Sequence, residues 1–133
     1  MHATTTQEKI KTGGLCHLAI DVSDMDRSLK FYMDMFDMNI IHRTDRFIHV
    51  QTAGAKDNIF LFKADGPVSP KSGGMTHMHF GFRIDDKNFE KALVYIKRNN
   101  IKIHHNPGRG AGRFVYIEDP DGYVIQLEPG DCD

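Results

Sequence analysis

The feature that most constrains the fold is a short pattern that occurs twice in the chain. His17-Leu-Ala-Ile-Asp-Val-Ser-Asp24 and His79-Phe-Gly-Phe-Arg-Ile-Asp-Asp86 share a leading histidine, the same alternation of apolar residues and a closing aspartate. Alternation with a period of two is typical of a strand with one buried face. Its repetition indicates two copies of one supersecondary unit in a single chain.

The alternation separates a core face from an open face in each repeated strand. The apolar positions are expected to face the core: Cys16, Leu18, Ile20 and Val22 in the first copy, and Met78, Phe80, Phe82 and Ile84 in the second. His17 and His79 fall between them and are expected on the opposite face. Cys16 should then be a buried reduced thiol and Cys132 an incidental one, since two cysteines without zinc-knuckle spacing make no disulfide framework.

A helix and three short strands are predicted after each repeated strand. Apolar residues recur at helical spacing after Ser23 and Asp24, and again after Asp86 as far as the Asn99-Asn100 pair. Strands are predicted at 39–43, 46–52 and 58–63, and at 101–105, 113–118 and 123–128. The sequence therefore predicts an α+β fold of tandem βαβββ modules, 15–63 and 75–129, with a linker at 64–74 and tails at 1–14 and 130–133.

Composition excludes several classes of partner. The chain has 17 basic and 18 acidic residues, so no large field of one sign is available to attract nucleic acid or an anionic membrane. No apolar run approaches the roughly 20 residues of a membrane span, and the polar start lacks the apolar segment of a secretory signal. We therefore expect a cytoplasmic protein with a local small-molecule site.

Three segments together resemble the glyoxalase/bleomycin-resistance/extradiol-dioxygenase superfamily, the vicinal oxygen chelate proteins. These are the two strand-initial histidines, Val22-Ser-Asp-Met-Asp-Arg-Ser-Leu-Lys-Phe-Tyr32, and Val115-Tyr-Ile-Glu-Asp-Pro-Asp-Gly-Tyr-Val-Ile125. The resemblance covers nearly everything from Leu15 to Pro129. It implies modules that curl a mixed sheet around a cleft, and a homodimer whose sites can combine residues of both chains.

The resemblance also implies up to four metal ligands, on the first and last strands of each module. Two of these positions hold His17 and His79. The third, usually Glu in the family, is Gln126. The fourth is Phe60, found by matching its neighbours to those of Gln126. A divalent metal ion (Ni, Zn, Mn or Fe) is thus expected at His17, His79 and Gln126, held more weakly because an amide brings no negative charge.

Two alternatives bear on these positions. His77 shares a face with His79, but the repeat pairs His77 with Leu15 and so favours His79. An amide cannot accept a proton, so Glu128, two residues beyond Gln126 on the same strand face, is the candidate base or additional ligand. A structural hydrogen bond made by each strand histidine is the other interpretation of His17 and His79.

The cleft lining is predicted from the same alternation. Its aromatic members are expected to hold an apolar or aromatic substrate: Phe47, Phe60, Phe62 and Phe114. His49 and Tyr116 are expected to orient the substrate and exchange protons. Arg109 or Arg113, in the segment 106–113 that leads into a strand beside the cleft, is expected to meet an anionic group. The phenylalanines could equally fill space inside a closed sheet.

Three functions are compatible with these residues. The first is a metal-dependent lyase or isomerase with glyoxalase-like chemistry, acting on a small oxygenated substrate. The second is a ring-cleaving dioxygenase with ferrous iron, which Gln126 disfavours because the usual facial triad contains a carboxylate. The third is a metal-free binding protein similar to the bleomycin-resistance members, for which Phe60 and Gln126 are the substitutions expected.

Overall fold

Two modules of identical element order make up the fold. The computed structural model describes residues 8–68, 70, 78–105 and 114–130. The first module contains β1 (Leu18–Val22), α1 (Met25–Phe36), β2 (Met38–Arg43), β3 (Phe47–Thr52) and β4 (Ile59–Lys63). The second contains β5 (Phe80–Ile84), α2 (Asp86–Arg98), β6 (Ile103–His105), β7 (Val115–Glu118) and β8 (Val124–Pro129). The predicted α+β fold with tandem βαβββ order is confirmed.

Each module forms its own four-stranded mixed sheet. The strand orders are β1-β4-β3-β2 and β5-β8-β7-β6. The first strand runs parallel to the last in both sheets, and the remaining pairs are antiparallel. Parallel strands cannot be joined by a tight hairpin. In each module a helix and two further strands lie between the first strand and the last.

The two sheets have equivalent registers. Phe60 lies between Ala19 and His49 on its neighbouring strands. Gln126 lies between Gly81 and Tyr116 in the same way. Since Ala19 and Gly81 each follow a repeated histidine by two residues, Phe60 and Gln126 are structural counterparts, as the sequence match predicted.

The helices begin at side chains that cap them. The Asp24 carboxylate accepts a hydrogen bond from the backbone N–H of Arg27 at 3.0 Å, and the Asp85 carboxylate accepts one from Asn88 at 2.9 Å. Such caps satisfy amides that have no partner inside the helix. Helix α1 ends at Asp37 in the left-handed conformation, with φ of 54°. Helix α2, which was predicted to follow Asp86, begins at Asp86 itself and is capped by Asp85.

One hydrophobic core draws on both sheets. Alternate residues of five strands, β1, β3, β4, β7 and β8, are fully buried: Val22, Ile48, Val50, Leu61, Ile117, Ile125 and Leu127. The expected burial of Cys16 is wrong, because Cys16 is exposed. The expected burial of Met78, at the matching position of the second copy, is also wrong, because Met78 is 86% exposed. The paired strands begin only at Leu18 and Phe80, so the alternation continues in sequence beyond the sheets that would cover it.

The Asp119-Pro-Asp-Gly122 turn joins the second module to helix α1. The buried Tyr32 hydroxyl donates to Asp119 at 2.6 Å, and the Arg27 guanidinium donates to Asp121 at 2.9 Å. Burial raises the pKa of Asp119, and it raises the pKa of Tyr32 well above its ordinary value. The predicted turn thus also connects the modules. No helix among the described residues is long and apolar enough to cross a membrane.

Candidate functional site

The second module brings together two of the predicted metal ligands. His79 immediately precedes β5, and its Nε2 lies 3.2 Å from Oε1 of Gln126 on β8. Both side chains are half-buried. The parallel pairing of β5 with β8 places Gln126 opposite Gly81, two residues beyond His79 on the same face.

Aromatic residues adjoin this pair. The His79 and Tyr116 rings meet edge to face at 5.4 Å, and Tyr116 meets Phe114 at 5.5 Å. Tyr116 is buried and Phe114 half-buried. Glu128 is exposed, two residues beyond Gln126 on β8, and pairs with Arg83 in the strand register. Arg109 and Arg113 lie outside the described residues, as do His77 and Cys132, so the expected contact with an anionic substrate group remains a prediction.

The first module carries a cluster of rings at the equivalent place. The His17 and Phe60 rings meet edge to face with 5.2 Å between their centroids. The His49 ring stacks on Phe60 with 4.3 Å between centroids and 12° between planes. Phe47 touches both Phe60 and Phe62, at 5.7 and 5.3 Å. The predicted cleft rings of this module therefore lie on one face of the first sheet, while Ile48, Val50, Ile59 and Leu61 are buried behind them.

Asn58 is a polar member of this cluster that the sequence analysis missed. Its Oδ1 lies 2.7 Å from Nε2 of His49 and accepts from Nε2 of Gln51 at 3.3 Å. Its Nδ2 donates to the carbonyl of Cys16 at 3.0 Å. An asparagine directly before a strand is an ordinary turn signal, so only the spatial proximity of His49 reveals its role.

Gly81 is a second residue that was missed. A Cβ atom added there would lie 2.8 Å from the backbone oxygen of Gln126 and 3.2 Å from its Cβ. Glycine therefore permits the close approach of β5 to β8 beside the His79–Gln126 pair. A glycine inside an otherwise apolar alternating strand is the signal that could have identified it.

The two repeated histidines line different cavities. His17 shares a cavity of about 280 Å³ with Asn58, Gly81 and Phe82. His79 shares one of about 350 Å³ with Asp21, Phe80 and Tyr123. No group of three or more His, Cys, Asp or Glu side chains among the described residues is arranged to hold a metal ion. The single chain therefore presents a ligand pair in one module and a histidine with aromatic neighbours in the other.

The donor chemistry of the pair fits a divalent metal ion. Bonds of about 2.1 Å from a metal to nitrogen and oxygen ligands place the two ligand atoms about 3.0 Å apart in octahedral geometry and about 3.4 Å apart in tetrahedral geometry. Nε2 of His79 and Oε1 of Gln126 are 3.2 Å apart, a hydrogen-bond distance, and an ion bound by both atoms would replace this hydrogen bond with two coordinate bonds. Imidazole suits Zn, Ni, Fe and Cu, whereas the neutral carbonyl suits harder ions such as Mn. Phe60, at the equivalent position of the first module, offers no donor atom.

The fold and the site define a class of protein, and comparison with known proteins agrees. The chain belongs to the glyoxalase/bleomycin resistance protein/dioxygenase superfamily, whose family model matches residues 14–127. The vicinal oxygen chelate resemblance inferred from the repeated histidines is therefore confirmed.

Individual relatives are identical to the chain at about a quarter of the aligned positions. It is 28% identical over 118 residues to the metallothiol transferase FosB of Staphylococcus epidermidis, covering 86% of this chain and 80% of that protein. It is also 28% identical over 123 residues to the probable chloroplastic lactoylglutathione lyase of Arabidopsis thaliana, covering 85% of this chain. The chain spans only 35% of the length of that lyase.

A solved structure has the same fold. A mutant of the fosfomycin resistance protein FosX from Listeria monocytogenes, complexed with Mn(II) and 1S,2S-dihydroxypropylphosphonic acid, superimposes with a TM-score of 0.74. The match covers 91% of this chain and 93% of that chain at 21% identity. At this identity the likeness establishes the shared fold.

Proposed function

We propose that this protein is a divalent-metal-dependent enzyme, a lyase or isomerase with glyoxalase-like chemistry that acts on a small oxygenated substrate. The observation that carries the proposal is the convergence of His79 and Gln126, two residues at ligand positions of the family, whose Nε2 and Oε1 lie within hydrogen-bond distance at 3.2 Å. When bound, such an ion supplies Lewis-acid stabilisation of negative charge on neighbouring substrate oxygens. The names of the relatives, metallothiol transferase and lactoylglutathione lyase, support chemistry of this kind.

The third ligand in this proposal is His17 of a second copy of the chain. Within one chain His17 and His79 line different cavities, so a homodimer is the simplest way to combine them. Leu15, next but one to His17, is fully exposed, and Met78, next to His79, is 86% exposed. A second copy seated there would bury both of these apolar side chains.

The ring cluster of the first module supplies the substrate-facing surface. Phe47, Phe60 and Phe62 offer apolar contact area beside His17, and Phe62 is 37% exposed. Such a surface suits binding by shape with few polar anchors. It equally favours the second candidate, a metal-free protein that sequesters an aromatic small molecule, and metal binding separates the two.

Titration of the metal-free protein with Mn²⁺ and Zn²⁺ by calorimetry tests the proposal. We expect one ion per chain, and a loss of at least about tenfold in affinity in His79→Ala and in His17→Ala. Gln126→Glu should bind more tightly, because it adds a negative charge at the ion. His42→Ala is the matched control, since His42 contacts Phe47 on the same face but is not a proposed ligand.

The opposite outcome is equally clear. A wild-type protein that binds neither ion, and whose binding of an aromatic small molecule survives both histidine substitutions, would favour the sequestering protein. In the metal-loaded protein, turnover of lactoylglutathione, the compound in the name of two relatives, is the first activity to assay.

A further inference from the structure

Asn58 makes three side-chain hydrogen bonds that together fix its orientation. Nδ2 donates to the backbone carbonyl of Cys16 at 3.0 Å, and a carbonyl can only accept. Reversing the amide would place two oxygens against each other there and two nitrogens against each other at Gln51. The amide oxygen is therefore the atom that lies 2.7 Å from Nε2 of His49.

This orientation determines where His49 carries its hydrogen. An oxygen that only accepts, at 2.7 Å from Nε2, requires Nε2 to be the donor. A neutral imidazole has a single N–H, so Nδ1 of His49 holds a free lone pair. The neutral ring thus has a defined proton-accepting atom.

The position of His49 makes this atom relevant to the proposed chemistry. His49 stacks on Phe60, and Phe60 in turn touches His17. One ring therefore separates His49 from a proposed metal ligand. Gln126, at the position where the resemblance leads one to expect a carboxylate, cannot take a proton. Glu128, the other candidate base, is exposed on the second module.

We propose that Asn58 is a positioning residue that holds His49 as its Nε2–H tautomer and leaves Nδ1 to accept a proton from the substrate. The proton is returned to the substrate later, so His49 ends in its starting state. The tautomer follows from the hydrogen bonds of Asn58 alone, whereas the use of Nδ1 in turnover rests on the proposed enzymatic function.

Long-range ¹H–¹⁵N NMR spectra of ¹⁵N-histidine-labelled protein report the tautomer directly. At about pH 8, above the ordinary histidine pKa, His49 should give the pattern of an Nε2–H ring, with its signals assigned by their loss in His49→Gln. A wild-type His49 that carries its hydrogen on Nδ1 would overturn the inference without any variant being needed.

Two matched variants test the role of Asn58. Asn58→Leu removes the acceptor, so His49 should shift to a mixture of both tautomers. Gln51→Leu removes only the second donor to the same oxygen and should leave the tautomer of His49 unchanged. An Asn58→Leu protein with an unchanged thermal unfolding midpoint and an unchanged tautomer contradicts the proposal. Should this variant fail to fold, the wild-type spectrum still decides.

Turnover provides the second readout. In the metal-loaded enzyme, Asn58→Leu and His49→Gln should lower kcat at least tenfold while KM changes less than twofold, and Gln51→Leu should keep both. Equal kcat in all four proteins overturns the role of Nδ1. Absence of metal binding and turnover in the wild type would instead refute the proposed function and the use of Nδ1, while the tautomer result stands separately.

Discussion

Gly81 is the residue at which a single methyl group should disturb the proposed metal site. In Gly81→Ala the new Cβ would meet the backbone oxygen of Gln126 at 2.8 Å, and a backbone atom cannot swing aside as a flexible side chain can. We expect the free energy of unfolding to fall by about 1–3 kcal/mol and Mn²⁺ affinity to fall about tenfold. Urea unfolding and calorimetry measure the two effects.

Gly66→Ala is the matched control, because nothing lies within 4 Å of a Cβ added at Gly66. It should change stability by less than about 0.5 kcal/mol and leave metal affinity unaltered. Equal effects from both substitutions would mean that Gly81 has no particular function beside Gln126.

Tyr32 should make the protein lose stability in alkaline solution. Burial raises the pKa of Tyr32 well above its ordinary value of 10.0, so the hydroxyl stays protonated in the folded state while it ionises in the unfolded chain. Above pH 10 the unfolded state binds fewer protons, and stability must fall as pH rises. The Tyr32 contribution is about 1.4 kcal/mol per pH unit in that range.

The slope of unfolding free energy against pH in Tyr32→Phe checks this assignment. Tyr123, whose pKa burial also raises, titrates in both proteins and cancels in the comparison. The variant should be less stable at neutral pH by about 1–3 kcal/mol, because it leaves Asp119 with one hydrogen bond fewer, yet it should lose less stability between pH 10 and 11. Parallel curves for the two proteins would exclude Tyr32 as the titrating group.

At the scale of elements, Asp121 ties the turn of the second module to the start of α1. Its side chain is 1% exposed and accepts from Arg27 at 2.9 Å, from the backbone of Ser23 at 3.3 Å and from the Ser23 hydroxyl. Asp121→Ala should lower the free energy of unfolding by about 2 kcal/mol, because it removes the hydrogen bonds that Arg27 and Ser23 donate to a buried carboxylate. Urea unfolding monitored by circular dichroism measures it.

Asp26→Ala offers the comparison on the same helix. Asp26 also pairs with an arginine, Arg43 at 2.8 Å, but its side chain is 79% exposed. Exposed pairs contribute little, so a loss below about 1 kcal/mol is expected. If the two aspartates cost the same, the junction between the modules does not depend on Asp121.

The elements were predictable because each rests on a local pattern. Period-two alternation predicted β1 and β5, and Asp24, a typical helix-capping residue, indicated the start of α1. The repeat also identified Phe60 and Gln126 as counterparts, which the strand register confirms. The predicted burial of Cys16 was wrong, because an alternating pattern does not show at which residue strand pairing begins. The roles of Asn58 and Gly81 could not be predicted, because they depend on residues that only the fold brings close. These are His49 for Asn58 and Gln126 for Gly81.

At the scale of the whole molecule, the location of His17 and His79 in different cavities is the observation that sequence could not supply. Equivalent positions in a repeat imply that two residues occupy similar places in their modules, not that they meet. Their cavities differ within one chain, so the proposed three-ligand site depends on a symmetric dimer. A C2 dimer would create two such sites, each with His17 from one copy and His79 with Gln126 from the other.

Mixing two inactive variants tests this arrangement. His17→Ala and His79→Ala, co-refolded in equal amounts, should form heterodimers in which one site carries both substitutions and the other carries none. Random pairing makes half of the dimers mixed, so about a quarter of the wild-type metal-binding capacity should return. Each variant refolded alone should bind no metal tightly. A site built within one chain cannot be restored in this way, so a mixture that stays inactive despite a wild-type dimer by sedimentation would place all three ligands in a single copy.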